Sequence, residues 1–155
     1  MSTTSKPNSP GVIVLTSTGV NVLSPPPDDT DIVIAGTPIS FRLNLSITGL
    51  AFIVAMFAGE PVEVSHHVEQ VEGGTRFTLG PFAFATPATV AALANFDFTT
   101  GPFTTSLNGG GGQFQTATGD DDGVYRVITE MHFTANAQAK ANSVFDDRLL
   151  AITEG

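Results

Sequence analysis

The chain has 155 residues, fifteen acidic against six basic, a net charge of −9 and no cysteine. That length suits one domain with a proper core, and the missing thiols exclude disulfides, thiolate metal sites and a cysteine nucleophile. The basic residues Lys6, Arg42, Arg76, Arg126, Lys140 and Arg148 are scattered, whereas nucleic acids and anionic membranes call for clustered positive charge, so neither is an expected partner.

Charged residues make up 14% of the chain, against roughly a quarter in ordinary soluble domains. The deficit is filled by Thr, Ser, Gly, Asn and Gln, a surface suited to packing against other copies or against carbohydrate. No stretch reaches the roughly eighteen apolar residues of a membrane span. Residues 1–10 are rich in Ser, Thr and Pro and lack an apolar signal core. They read as a flexible arm with no secretory signal, leaving residues 11–155 as a single domain.

In chain order, residues 11–24 alternate apolar and small side chains and read as one or two short strands. The run Pro25-Pro26-Pro27-Asp28-Asp29 interrupts pairing, because proline offers no N–H to a ladder; it reads as a turn between an edge strand and the remaining sheets. Residues 38–48 give the clearest strand, with Ile39, Phe41, Leu43, Leu45 and Ile47 alternating with polar residues, a period that buries one face. Residues 50–58 are apolar on both faces of a strand, with Ile53, Ala55 and Phe57 on one and Phe52, Val54 and Met56 on the other. A strand of that kind is central and covered twice.

Gly73-Gly74 suits a tight hairpin between residues 62–72 and 75–79. Thr86-Pro87 resembles a helix cap followed by proline at the first helical position, so residues 88–93 are expected to form a short helix inside an insertion, 80–102, that packs down as a lid. Residues 103–107 and 114–118 are strand-like around a loop at Gly109–Gly112. Residues 124–134 form the next strand, with Val127, Met131 and Phe133 on one face and Arg126, Ile128, Glu130 and His132 on the other. Asp146-Asp147 reads as a turn before a last strand, 148–153.

No constellation for catalysis stands out. There is no G-x-S-x-G elbow, and Gly109–Gly112 lacks the Lys and Ser/Thr of a phosphate loop. Adjacent His66 and His67 point to opposite faces of a strand, so a zinc site would need His132 and a carboxylate such as Glu69 or Glu130 to converge from elsewhere. The acidic runs Asp120–Asp122 and Asp28–Asp31 lack the spacing of a calcium loop and read as solvated turns. Asn44-Leu45-Ser46 matches a glycosylation sequon in mid-strand and reads as a chance match. No cofactor and no metal are expected.

Residues 121–127 read Asp-Asp-Gly-Val-Tyr-Arg-Val. This D-x-G-x-Y-x-apolar form resembles the signature with which immunoglobulin-like β-sandwiches enter their second-to-last strand. The resemblance implies a structural corner at Asp121, Gly123 and Tyr125, with Tyr125 buried and its hydroxyl bonded to backbone near 119–121. It implies that Val127 takes the core position where antibody-type domains carry a cysteine. It also makes 50–58 the third strand, beside the signature strand, with Phe52 or Phe57 in the space of the antibody tryptophan.

The expected fold is therefore all-β: a two-sheet antiparallel sandwich, immunoglobulin-like, with one short helix in an insertion. Phe41, Leu43, Leu45, Val127, Met131 and Phe133 are expected to share its core. The outer face of 50–58, Phe52, Val54 and Met56, with Ile128 next door, needs a cover, supplied by the 80–102 insertion or by a second copy. The expected function is a non-enzymatic structural or interaction protein, a subunit of a homo-oligomer or larger assembly. The alternative is a carbohydrate- or ligand-binding sandwich module, with or without calcium.

Overall fold

The structure is a computed structural model that describes residues 3–4, 13–24, 29–72, 76–103, 123–135 and 143–153. Strand β1 (Thr3–Thr4) is followed by β2 (Ile13–Leu23), β3 (Ile32–Ile34) and β4 (Ile39–Gly49). A short helical stretch comes next, α1 (Ala51–Val54) running into a 3-10 turn (Ala55–Phe57). Then come β5 (Pro61–Gln70), β6 (Arg76–Ala85), α2 (Val90–Leu93), β7 (Phe96–Phe103), β8 (Gly123–Phe133) and β9 (Ser143–Thr153).

The strands form two sheets, ordered β1-β2-β4-β7 and β3-β9-β8-β5-β6. All pairings are antiparallel except β3 with β9. In immunoglobulin terms β2, β4 and β7 stand as A, B and E, while β5, β8 and β9 stand as C, F and G. The chain is thus an all-β, immunoglobulin-like sandwich, and the signature run does enter its second-to-last strand. β6 sits beside β5 rather than joining the first sheet, which distinguishes this order from the constant-type arrangement.

Alternation sets the core as the sequence demands. Phe41, Leu43, Leu45, Val127, Met131 and Phe133 are all buried in one cluster, together with Leu15, Val22, Val64, Leu150 and Ile152. A buried polar link also joins the sheets. Ser17, at a bulge in β2, donates to Asp146 Oδ2 of β9 at 3.2 Å. Asp146 and Asp147 consequently lie within β9 rather than in a turn before it; both carboxylates are bonded, Asp147 to Arg126 at 2.7 Å.

Residues 50–58 are not a strand. Leu50 O accepts from Ile53 N at 3.0 Å and from Val54 N at 2.9 Å, and the chain coils away from the end of β4. Val54 and Phe57, three apart, turn into the core while Phe52 and Met56 turn out, the spacing of one helical face. A run that is apolar throughout has no period to separate a buried strand from a helical turn. The third strand is instead β5, which pairs with β8 along its length and buries Val62, Val64, His66 and Val68.

Residues 80–102 are likewise not a lid. They supply parts of two edge strands, β6 in one sheet and β7 in the other, with α2 in the crossover. α2 is capped by Thr89, whose Oγ1 accepts from Ala92 N at 3.4 Å. Thr86 is buried and serves the other helical stretch: its Oγ1 accepts from Glu60 N at 2.8 Å and donates to Phe57 O. The expected strands at 103–107 and 114–118 fall almost wholly outside the described residues, which resume at Gly123.

Candidate functional site

The corner residues divide. Tyr125 is fully buried, opposite Gln70 on β5 and Leu150 on β9. Gly123 has a φ of 136°, a backbone that suits glycine at the start of β8, and a Cβ there would meet the movable end of the Gln70 side chain at 3.0 Å. Asp121 and the backbone expected to receive the Tyr125 hydroxyl lie outside the described residues.

His66 is the most unusual polar side chain of the core. Its ring bridges the sheets, with Nδ1 2.7 Å from Thr129 Oγ1 on β8 and Nε2 2.6 Å from Thr100 Oγ1 on β7. Thr100 Oγ1 in turn reaches Phe41 O at 3.5 Å. A consistent proton assignment follows: Thr129 donates to Nδ1, Nε2–H donates to Thr100, and Thr100 donates to the Phe41 carbonyl. Burial, aided by the neighbouring charge of His67, lowers the imidazole pKa from 6.5 to about 3. His66 is therefore neutral and cut off from solvent, a pin between sheets rather than a base that a substrate could reach.

The ring sits in an aromatic box, its centroid 4.7 Å from Phe41 and 6.3 Å from both Phe82 and Phe103. Phe82 and Phe103 each close a Gly-Pro-Phe run, Gly80-Pro81-Phe82 on β6 and Gly101-Pro102-Phe103 on β7. These repeated tripeptides carry a signal that the strand reading missed. Proline within a strand points to an edge position or a bulge, and both runs are bulged edge segments.

The outer face of β5 and β8 carries a charged row. His67 Nε2 lies 3.3 Å from Glu130, and His132 lies 3.6 Å from both Glu130 and Glu63. Glu69 pairs with Arg76 rather than with a histidine. Among the described residues no group of three His, Cys, Asp or Glu side chains is arranged to hold a metal ion. Asp29 and Asp31 are engaged by Arg148, at 2.7 Å each, while Asp28 and Asp120–Asp122 lie outside the described residues.

Among the described residues two exposed apolar surfaces remain. The first is the end of the sandwich formed by α1, the 3-10 turn and α2, with α1 packed against α2. Phe52 is 71% exposed and Met56 50%, and Leu50 and Val90 are also open to solvent. Of the expected interface set, Phe52 and Met56 lie here, Val54 is buried beneath them, and half-buried Ile128 sits apart on β8, opposite His67. No charged residue occurs in 49–59 or 86–96.

The second surface is an open groove of about 1030 Å³ along β8 and β9, lined also by Ile32 of β3, Val20 of β2, Val71, Asp29 and Asp31. Ile32 is 61% exposed there and Leu149 58%, beside Val71 and Val124. Its lining holds Asp29, Asp31, Asp146 and Asp147 against Arg126 and Arg148, so it is acidic on balance although Arg148 is paired with Asp29 and Asp31 and Arg126 with Asp147. The sequence hides this surface because its residues come from three strands and alternate with core positions.

No helix among the described residues is long and apolar enough to cross a membrane. No protein-family model matches the chain, and no curated protein matches it in sequence. Among solved structures it is similar to the CARDB domain of the PF1109 protein from Pyrococcus furiosus, crystallised in complex with di-metal ions. Identity is 11% and the TM-score 0.38, over 92% of this chain and 90% of that one. It is also similar to part of Bacteroides uniformis beta-glucuronidase, with 13% identity and a TM-score of 0.37, over 84% of this chain and 12% of that one. At such values neither likeness bears on the chemistry or the partners of this chain.

Proposed function

We propose that the protein is a non-enzymatic interaction module that works by associating with further copies of itself. The observation that carries this reading is an exposed apolar patch on the two uncharged helical segments at one end of the sandwich. In a chain of net charge −9, two segments without any charged residue meet there and hold Leu50, Phe52, Met56 and Val90 in solvent. Contiguous exposed apolar surface of this kind usually marks an interface, and copies of an acidic chain meet with least repulsion where no carboxylate lies.

The same geometry gives less support to a carbohydrate platform, which stacks sugar rings on adjacent exposed aromatics. Among the described residues Phe52 is the one exposed large aromatic. Sedimentation across a wide concentration range tests the proposal. Stoichiometric multimers are expected, and a chain that stays monomeric at the highest concentration overturns the reading.

A further inference from the structure

Strand β9 carries main-chain groups that the fold does not use. Ala151 N donates to Asp31 O at 2.8 Å, and its partner Val124 turns its carbonyl to Val71 N, so the main chain of Ala151 faces away from β8. β9 pairs with β8 without a register shift. Direction alternates along such a ladder, so Leu149 and Asp147 also turn their N–H and C=O away from β8. β3 meets β9 only at Ala151, Ile152 and Thr153. Asp147 N is taken up by Asp146 Oδ1 at 2.9 Å. Among the described residues nothing bonds the N–H and C=O of Leu149 or the C=O of Asp147.

The groove runs along this same edge. Its lining includes every residue from Asp146 to Ala151. Side chains of a strand alternate between faces, so an unbroken run marks the strand's edge rather than one face. Ile32 and Leu149, each more than half exposed, border it. Asp29 and Asp31 share one arginine there, and the Asp31 side chain is 81% exposed.

We propose that this edge takes an added strand: an extended segment of a partner protein, alternating apolar and basic side chains, lies beside Leu149 and Asp147 in line with β3. Free main-chain groups at a sheet edge call for an extended backbone rather than a helix or a sugar. Alternate side chains of that segment point to opposite sides. One set covers Ile32 and Leu149, and the other lies towards Asp29 and Asp31. Four aspartates against two arginines line the groove of a chain of net charge −9, so charge favours a basic partner over a second copy. The contact is therefore separate from the self-association proposed above, which uses the α1 and α2 end.

The probe is a short fluorescent peptide of alternating valine and lysine, its binding to the full chain read by anisotropy. Two further peptides carry methyl groups on alternate backbone nitrogens, one for each set, and a third has glutamate for lysine. Saturable binding is expected of the parent peptide and none of the glutamate peptide. Methylating the set of nitrogens that faces β9 should weaken binding about ten-fold or more through lost hydrogen bonds, and methylating the other set should not. Leu149→Pro removes an N–H that β8 does not use, and should weaken the parent peptide likewise if circular dichroism shows the variant folded; if it is not, the peptide series decides alone. Absence of binding overturns the proposal, as does equal binding of the glutamate peptide or a response that does not depend on which set is methylated.

Discussion

Phe82 and Phe103 face each other across the open side of the sandwich, their ring centroids 5.6 Å apart, each the third residue of a Gly-Pro-Phe run on an edge strand. The glycines that precede them are equivalent as well. Gly80 has a φ of 101° and Gly101 of 102°, and a Cβ on either would stand 2.9 Å from a backbone oxygen, that of Val64 or of Ile39. Neither oxygen belongs to a flexible side chain that can move aside, so a Cβ at either bulge forces the backbone to shift. The two rings meet between edge strand β6 of one sheet and edge strand β7 of the other.

Gly101→Ala is expected to destabilise the fold by about 1–3 kcal/mol, from the left-handed backbone and the close oxygen together. Gly36→Ala is the control: φ is 93° there too, but nothing lies within 4 Å, so it bears the backbone penalty alone. Urea unfolding of both variants checks this. Equal losses would show that the Ile39 oxygen yields without cost.

The helical reading of 50–58 separates residues that a strand would put together. Phe52 and Val54 would share a face in a strand, yet Val54 is 3% exposed and Phe52 71%. Val54→Ala should cost about 1.5–3 kcal/mol through lost burial and a residual cavity, and Phe52→Ser no more than about 0.5 kcal/mol in the dilute monomer. Thermal melts at low concentration decide, and similar losses at both positions would restore the strand.

What the sequence made legible follows from period. β4 and β8 alternate strictly, so the pattern alone turns Leu43 and Val127 inward, and the D-x-G-x-Y run locates β8 within the fold. The run 50–58 was illegible for the opposite reason: apolar residues at every position fit a strand and a helix alike. His66 and His67 were readable as opposite-facing, but which of them enters the core is set by the register of β5 against β8, which no local pattern encodes. The groove was invisible because Ile32, Leu149 and Val124 become neighbours only when β3, β9 and β8 assemble.

Arg148 should be hard to replace. One nitrogen of its guanidinium donates to Val20 O at 2.6 Å and lies 2.7 Å from Asp29; the other donates to Thr30 O at 3.0 Å and to Asp31 at 2.7 Å. The fork thus ties β9 of one sheet to β2 of the other and to the connection leading into β3. Arg148→Met should cost about 2–4 kcal/mol, because partly buried acceptors lose a charged donor. Arg148→Lys should recover less than half, since a single ammonium does not reproduce the planar fork. Full recovery by lysine in urea unfolding would reduce the contact to simple charge.

His66 makes stability depend on pH in a definable window. The folded-state pKa is lowered to about 3 from 6.5, so between those values the unfolded chain binds a proton that the folded chain refuses. The stabilisation is complete above about pH 6.5 and shrinks as pH falls, at up to ~1.4 kcal/mol per pH unit. His66→Leu removes the titration but leaves the Thr129 and Thr100 hydroxyls without their ring partner, at about 1–3 kcal/mol. The parent should therefore be the more stable at pH 8, and its advantage should narrow steadily towards pH 4. His67, His132 and every carboxylate are common to both proteins, so the difference between their unfolding free energies isolates His66. A difference that stays constant from pH 8 to pH 4 would mean that the imidazole accepts its proton in the fold, and that the two sheets part around it more readily than this packing allows.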